Sequence, residues 1–242
     1  MDQVQAEESK PGQLVAWLVH AFTASGAVLA FLALMAVTEK NWALALGWLL
    51  AALAVDGADG SLARWARVKE RAPRIDGATL DLVVDYLNYV FVPAMLIVRA
   101  ELVPAELGPA LAALILISAL YNFTRADLKT EDNYFRGFPA LWNVVAFYLF
   151  VGRPGVEAGA AVVCIFAALT FAPVHFVHPF RVRDYGLWLP LIACFWAAAT
   201  AALLWPNWSD GLRASWLAAS LAAAAALLLL GLLRTARGPK AR

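Results

Sequence analysis

Four aspartates, two glycines, an alanine and an arginine follow the spacing Asp56-x2-Asp59-Gly60-x2-Ala63-Arg64-x12-Gly77-x3-Asp81-x3-Asp85. Carboxylates this dense, set into otherwise apolar sequence, are costly at membrane depth unless they meet cations, so the cluster marks a functional site. Converging carboxylates can hold two hard divalent ions by oxygen ligation, at the roughly 3.5–4 Å separation of two-metal sites. The chemistry served by such a site is phosphoryl transfer. Gly60 and Gly77 would let a phosphate or nucleotide approach the backbone closely, and Arg64 would pair with a phosphate oxygen. The competing reading is a set of Asp–Arg salt bridges capping two helices. With usage of about 5–7% per residue type, eight fixed positions coincide by chance on the order of 10⁻¹⁰ per start site. The joint pattern therefore favours chemistry over capping.

Helical periodicity gives each half of the motif a single face. Asp56 and Asp59 are three apart, Gly60 and Arg64 four apart, and Gly77, Asp81 and Asp85 form an i, i+4, i+8 stripe. The pairs Asp56 with Asp85 and Asp59 with Asp81 are both centred near residue 70, so an antiparallel hairpin turning there would place the paired carboxylates at equal depth. The segment Glu70 to Arg74 supplies the turn, with Pro73 to stop a helix. Apolar stretches cover residues 14–38, 42–55, 82–98, 105–121, 138–152, 158–177, 187–205 and 214–233. The second and third reach spanning length only if the Asp-bearing turns continue the helix, and such polar ends persist where they line a protein cavity. The expected fold is an all-α integral membrane protein, a polytopic bundle of about eight transmembrane helices. A segment 1–13 precedes one catalytic domain over 14–234, and a basic tail follows over 235–242.

Composition agrees, with 62% hydrophobic residues, 15% charged residues and a mean hydropathy of +0.68. No water-soluble domain of this length needs that. If the spans alternate, only Lys40, Arg99, Arg153 and Arg213 of the 19 basic residues fall on one side. The positive-inside rule then puts both termini and the aspartates in the cytoplasm. The leader carries Asp2, Glu7 and Glu8, so the first apolar stretch reads as a retained span and not as a signal peptide. Cys164 and Cys194 fall inside spans and read as apolar packing residues.

The motif resembles the signature of the CDP-alcohol phosphotransferases, integral membrane enzymes that transfer a phosphatidyl or related group from a CDP-linked donor to an alcohol. The gap of twelve after Arg64 is longer than in many members. Further segments are similar to the bacterial branch that makes phosphatidylcholine. These are Val19 to Gly26, Val68 to Arg71, Lys129 to Asn143 and Phe176 to Arg183, so the likeness covers most of residues 14–183. The resemblance implies the substrates CDP-diacylglycerol and choline, a surrounding of membrane lipids, no nucleic acid, and Mn²⁺ or Mg²⁺, two ions per site. It implies that Asp56, Asp59, Asp81 and Asp85 bind metal, that Asp85 is the general base, and that Gly60, Ala63, Arg64 and Gly77 lie on the cytidine side. It also implies a bacterial inner membrane location, and members of the family commonly form homodimers.

A quaternary ammonium has no N–H to donate, so a site for choline uses aromatic faces with an acidic neighbour. Tyr89, Tyr134 and Trp142 are the aromatic candidates and Glu131 the acidic one, although aromatics at a membrane interface are common for other reasons. Arg125 and Lys129 would hold a donor phosphate or act as positive-inside anchors. His20 and Thr23 read as polar contacts with a neighbouring helix. His175 and His178 read as interfacial packing, and the run Ala218 to Leu233 as a lipid-facing span. Two alternatives stay open: a sister enzyme using inositol phosphate, glycerol phosphate or serine, and a cation-coupled transporter. The clustering of the acids at one depth argues against the transporter.

Overall fold

The computed structural model describes residues 10–239, so Asp2, Glu7, Glu8, Lys240 and Arg242 lie outside the described residues. The helices are α1 (Lys10–Thr38), α2 (Trp42–Trp65), α3 (Val68–Arg71), α4 (Gly77–Tyr86), α5 (Val92–Arg99), α6 (Gly108–Thr124), α7 (Trp142–Gly152), α8 (Val156–Phe171), α9 (Trp188–Leu203) and α10 (Asp210–Arg237). A π-helical turn, Leu87–Phe91, joins α4 to α5 in one run. Each of the eight apolar stretches thus falls on a helical run. The polar turns do continue α2 and α4, which is how the motif aspartates come to sit inside membrane-length helices. Two expected ends retreat: residues 138–141 and 172–177 are not helical, because Pro139 and Pro173 break the pattern there.

Among the described residues, five runs are long and apolar enough to cross a membrane, namely Pro11–Thr38, Trp42–Trp65, Gly77–Arg99, Ala105–Thr124 and Asp210–Arg237. α7, α8 and α9 are shorter, at 11, 16 and 16 residues. The chain is a multi-pass membrane protein. Large apolar side chains such as Leu18, Phe31, Ile117 and Leu229 are exposed along the long helices, as lipid-facing positions are. Cys164 and Cys194 are free and exposed on their helices.

The chain forms two compact units, one ending at Val92 and the other beginning at Pro93. In the first, α1 packs along both α2 and α4. A Cβ on Gly26 would stand 2.5 Å from Val84 Cγ1, so α1 and α4 touch where only glycine fits. Asn88 Nδ2 donates to the Gly26 carbonyl at 2.9 Å across the same contact. The turn expected at Glu70 to Arg74 is instead a longer return through α3, entered by Arg67 in the left-handed region at φ 53°. Val68 and Ala72 bury against Ala16 and Val19 of α1, so the long gap of the motif is filled by a packed turn of helix. Asp76 then caps α4: its carboxylate accepts from Ala78 N–H at 3.0 Å and from the Thr79 hydroxyl at 2.7 Å. These two donors, Thr79 foremost, hold the Asp76 carboxyl below its ordinary value.

In the second unit α6 packs on α8 and α9 on α10. Polar side chains tie the helices inside an apolar surround. The Tyr148 hydroxyl lies 2.7 Å from Ser220 Oγ and accepts from Trp196 Nε1 at 2.8 Å, while Thr200 Oγ1 lies 3.0 Å from the same serine. Ser220 is fully buried, so part of the run expected to face lipid is an interhelical contact. Strands β1 (Phe135–Arg136) and β2 (His175–Phe176) pair antiparallel, with Phe135 opposite Phe176. Gly137 follows at φ +75°, where an added Cβ would lie 2.2 Å from the Thr170 carbonyl.

Candidate active site

The carboxylates of Asp56, Asp81 and Asp85 converge, one oxygen from each lying within 4.8 Å of the others. α2 delivers Asp56, and α4 delivers Asp81 and Asp85 one turn apart on one face. Thr23 and Gly26 of α1, Asp59 of α2 and Asn88 and Tyr89 of the π-helical turn line the same cavity. All three converging donors are hard carboxylate oxygens, the ligand type that suits Mg²⁺ or Mn²⁺. A modest inward movement of the side chains would let one ion meet all three. The cluster can hold a divalent metal ion.

The fourth motif aspartate stands apart from this set. Asp59 is 6% exposed and hydrogen-bonded to the Thr23 hydroxyl, which turns it toward α1. Thr23 makes the interhelical polar contact expected of it. His20 is buried beside Gly77, where an added Cβ would come within 3.3 Å of its ring. The His20 ring thus borders this glycine, and a side chain there would crowd it. Ala63 packs against the small apolar cluster that seats α3. Arg64 is exposed, with Nη2 donating to Ser61 Oγ one turn earlier at 3.1 Å.

Of the aromatic candidates, Tyr89 belongs to this unit and lines the cavity of the aspartates. Its hydroxyl donates to Asp56 Oδ2 at 2.6 Å, and the residue is 6% exposed, so the ring presents no open face. Asn88, with both amide hydrogens committed to Gly26 and Val84 carbonyls, went unrecognised in the sequence. The available signal was an amide placed one turn beyond Asp85 in an apolar run, where a polar side chain needs a partner.

The remaining expected site residues belong to the second unit. Tyr134 is fully buried, its hydroxyl donates to Asp184 at 3.0 Å, and the Arg234 guanidinium lies over its ring at 5.5 Å. Burial and this hydrogen bond raise the pKa of its phenol. Trp142 is fully buried as well, and Glu131 is exposed. Arg125 forks onto Asp127 at 2.8 and 3.0 Å and donates to the Arg136 carbonyl at 3.1 Å. That fork holds the Asp127 carboxyl below its ordinary value. Lys129 lies over the Phe135 ring at 4.9 Å.

An ion pair that the sequence did not signal fastens the end of α10 to this segment. Arg234 Nε meets Asp132 Oδ2 at 2.7 Å, with the two side chains only 9% and 16% exposed. Burial pushes the Asp132 carboxyl up, but the hydrogen bonds from Arg234 and Thr130 outweigh it and bring it to about 2. His175 is tied to α10 through its N–H, which donates to Thr235 Oγ1 at 2.8 Å. His178 stacks on Phe135 at 5.4 Å, and burial next to Lys129 and Arg181 lowers its pKa to about 4. It is held neutral as a packing residue.

The model of the CDP-alcohol phosphatidyltransferase family matches residues 17–199. The chain is similar to the phosphatidylcholine synthase of Pseudomonas aeruginosa, with 49% identity over 170 residues, 70% of this chain and 71% of that one. It is similar to that of Mesorhizobium japonicum, with 41% identity over 193 residues, 78% and 72% of the two chains. It is also similar to that of Legionella pneumophila, with 41% identity over 172 residues, 70% and 67%.

Proposed function

The chain belongs to the CDP-alcohol phosphatidyltransferase family, and from that premise we propose that it makes phosphatidylcholine by transferring the phosphatidyl group of CDP-diacylglycerol to choline, releasing CMP. The observation that carries the mechanism is the convergence of Asp56, Asp81 and Asp85 within 4.8 Å in a cavity lined by apolar helices. The names of the relatives support choline as the acceptor.

In this reading Asp85 accepts the proton of the choline hydroxyl as its oxygen attacks the phosphorus that bears the diacylglycerol. The bond from that phosphorus to the CMP oxygen breaks, and CMP leaves with the electron pair. Asp56, Asp81 and Asp85, with Asp59 beside them, would hold Mn²⁺ or Mg²⁺, two ions that would supply positive charge to neutralise the diphosphate and the leaving CMP. A carboxylate is a weak base toward an alcohol, so alignment of hydroxyl, phosphorus and leaving group supplies much of the acceleration. Gly60, Ala63, Arg64 and Gly77 form the cytidine side, with Arg64 free to swing from Ser61 to a phosphate oxygen. The protein works in the bacterial cytoplasmic membrane as a homodimer, with both termini and the aspartates on the cytoplasmic side.

CMP release by the purified protein tests the reading, with CDP-diacylglycerol and Mn²⁺ present and choline compared with serine, inositol phosphate and glycerol phosphate. Release with choline alone, lost on adding EDTA, is the expected result. Release with another alcohol instead would keep the transfer chemistry and overturn the acceptor. No metal-dependent release with any of them would remove the enzyme reading.

A further inference from the structure

The stripe Gly77, Asp81, Asp85 continues to Tyr89 at the same four-residue interval, but the backbone changes there. Leu87–Phe91 wind as a π-helical turn closed by a hydrogen bond from the Val92 N–H to the Leu87 carbonyl. Such turns put one extra residue into a helix and cluster at functional sites, where they re-aim a side chain. Here the turn buries two polar side chains in different directions. Asn88 reaches α1 through the Gly26 carbonyl at 2.9 Å, and Tyr89 reaches α2 through Asp56 at 2.6 Å. A separation of 2.6 Å is the length of a charge-assisted O–H···O⁻ bond, roughly twice as strong as a neutral one.

We infer that Tyr89 is a positioning residue for the metal ligand Asp56. Its hydroxyl engages Oδ2 of the carboxylate and restrains the rotation of the group, which would ligate an ion together with Asp81 and Asp85. An aspartate on the wall of a cavity otherwise turns about two side-chain bonds, and each ligand held in place beforehand is one fewer to order on binding. The phenol does for Asp56 what second partners of ligating groups do generally: it sets orientation without touching the metal. The tyrosine is itself held by the π-helical turn, which Asn88 anchors to α1. The ring thereby serves the donor side of the reaction and not an aromatic wall for choline. The inference rests on the proposed role of the three carboxylates as a metal site.

The test is Mn²⁺ titration of the full chain in detergent, followed by loss of the free-ion EPR signal, for wild type, Tyr89→Phe and Asp56→Asn. Phenylalanine keeps the ring volume, and the unfolding temperature without metal checks that the fold is retained. Tyr89→Phe is expected to weaken Mn²⁺ binding by about 10- to 100-fold. Its lost turnover should return as Mn²⁺ is raised, with the choline KM unchanged at saturating metal. If Asp56→Asn loses Mn²⁺ while Tyr89→Phe binds it as wild type does, the positioning role is overturned and the metal site stands. If wild type binds no Mn²⁺, or Asp56→Asn binds it equally well, the metal-site reading falls and takes this inference with it. A raised choline KM with unchanged Mn²⁺ affinity would assign the ring to the acceptor instead.

Discussion

Asp56, Asp81 and Asp85 share a cavity but have different surroundings, and the difference bears on which can move a proton. Asp56 already accepts a short hydrogen bond from Tyr89, which restrains it as a fixed ligand. Asp85 lies one turn beyond Asp81 on α4 and belongs to the same cluster, and in the proposed reading it takes the proton of the substrate hydroxyl. Asp85→Asn is isosteric but cannot accept the proton. It should lower kcat by about 10²–10⁴-fold at saturating Mn²⁺, while CDP-diacylglycerol binding, measured on the same variant, stays close to wild type. Near-normal turnover would take the base role from Asp85. The shared face of Asp81 and Asp85 was readable in the sequence, because carboxylates four apart on a helix lie together, and a hairpin centred near residue 70 sets Asp56 beside Asp85. The separate setting of Asp59 was not, since it depends on a hydroxyl at Thr23, 36 positions away on α1. Tyr134 shows the same limit on the other side of the chain. An aromatic near an interface can be open or packed, and what closes this one is Asp184 and Arg234, far along the sequence.

The helices that carry these residues were readable for a different reason. Their apolar stretches stop short of spanning length exactly where the motif begins, so either α2 and α4 absorb the aspartates or they cannot cross. The structure takes the first course, and α1 is the element that makes it workable by packing on both. What hydropathy does not carry is how closely they approach. Gly26 faces Val84 with no room for a methyl group, and a β-branched side chain in a helix has little rotamer freedom to move aside. Gly26→Ala should therefore push α1 from α4, lengthen the bond from Asn88 to residue 26 and displace the π-helical turn. The expected cost is about 1–3 kcal/mol, seen as a lower unfolding temperature in detergent together with weaker Mn²⁺ binding. An alanine variant with wild-type unfolding and metal affinity would show that the contact yields easily. The return through α3 was the less readable element, because a single turn of helix is too short to leave a periodic pattern.

If the spans alternate, the basic residues of the whole molecule divide unevenly between the two sides, and that expectation bears on every crossing, including those made by short helices. α7 has 11 residues, about 16 Å of helix at 1.5 Å per residue, against a hydrocarbon core of about 30 Å. It can complete a crossing only if non-helical chain on one side lies within protein, as irregular backbone at membrane depth must. The residues before it, with Gly137 hydrogen-bonded to Val174 and Phe138 to Leu169, have the internal pairing that this requires. If α7 and α8 both cross, the loop around Arg153 and Gly155 is outside and the C-terminus inside; if neither crosses, that loop is inside and the C-terminus is unchanged. A C-terminal green fluorescent protein fusion alone therefore does not discriminate, whereas alkaline phosphatase inserted after Pro154 does. The expected result is a fluorescent C-terminal fusion together with an active phosphatase, the enzyme folding only on the outer face. A fluorescent C-terminus with an inactive insertion in a membrane-integrated, metal-binding protein would reduce the crossings from eight to six and make α7 and α8 a re-entrant pair, leaving the aspartate cluster on the same side.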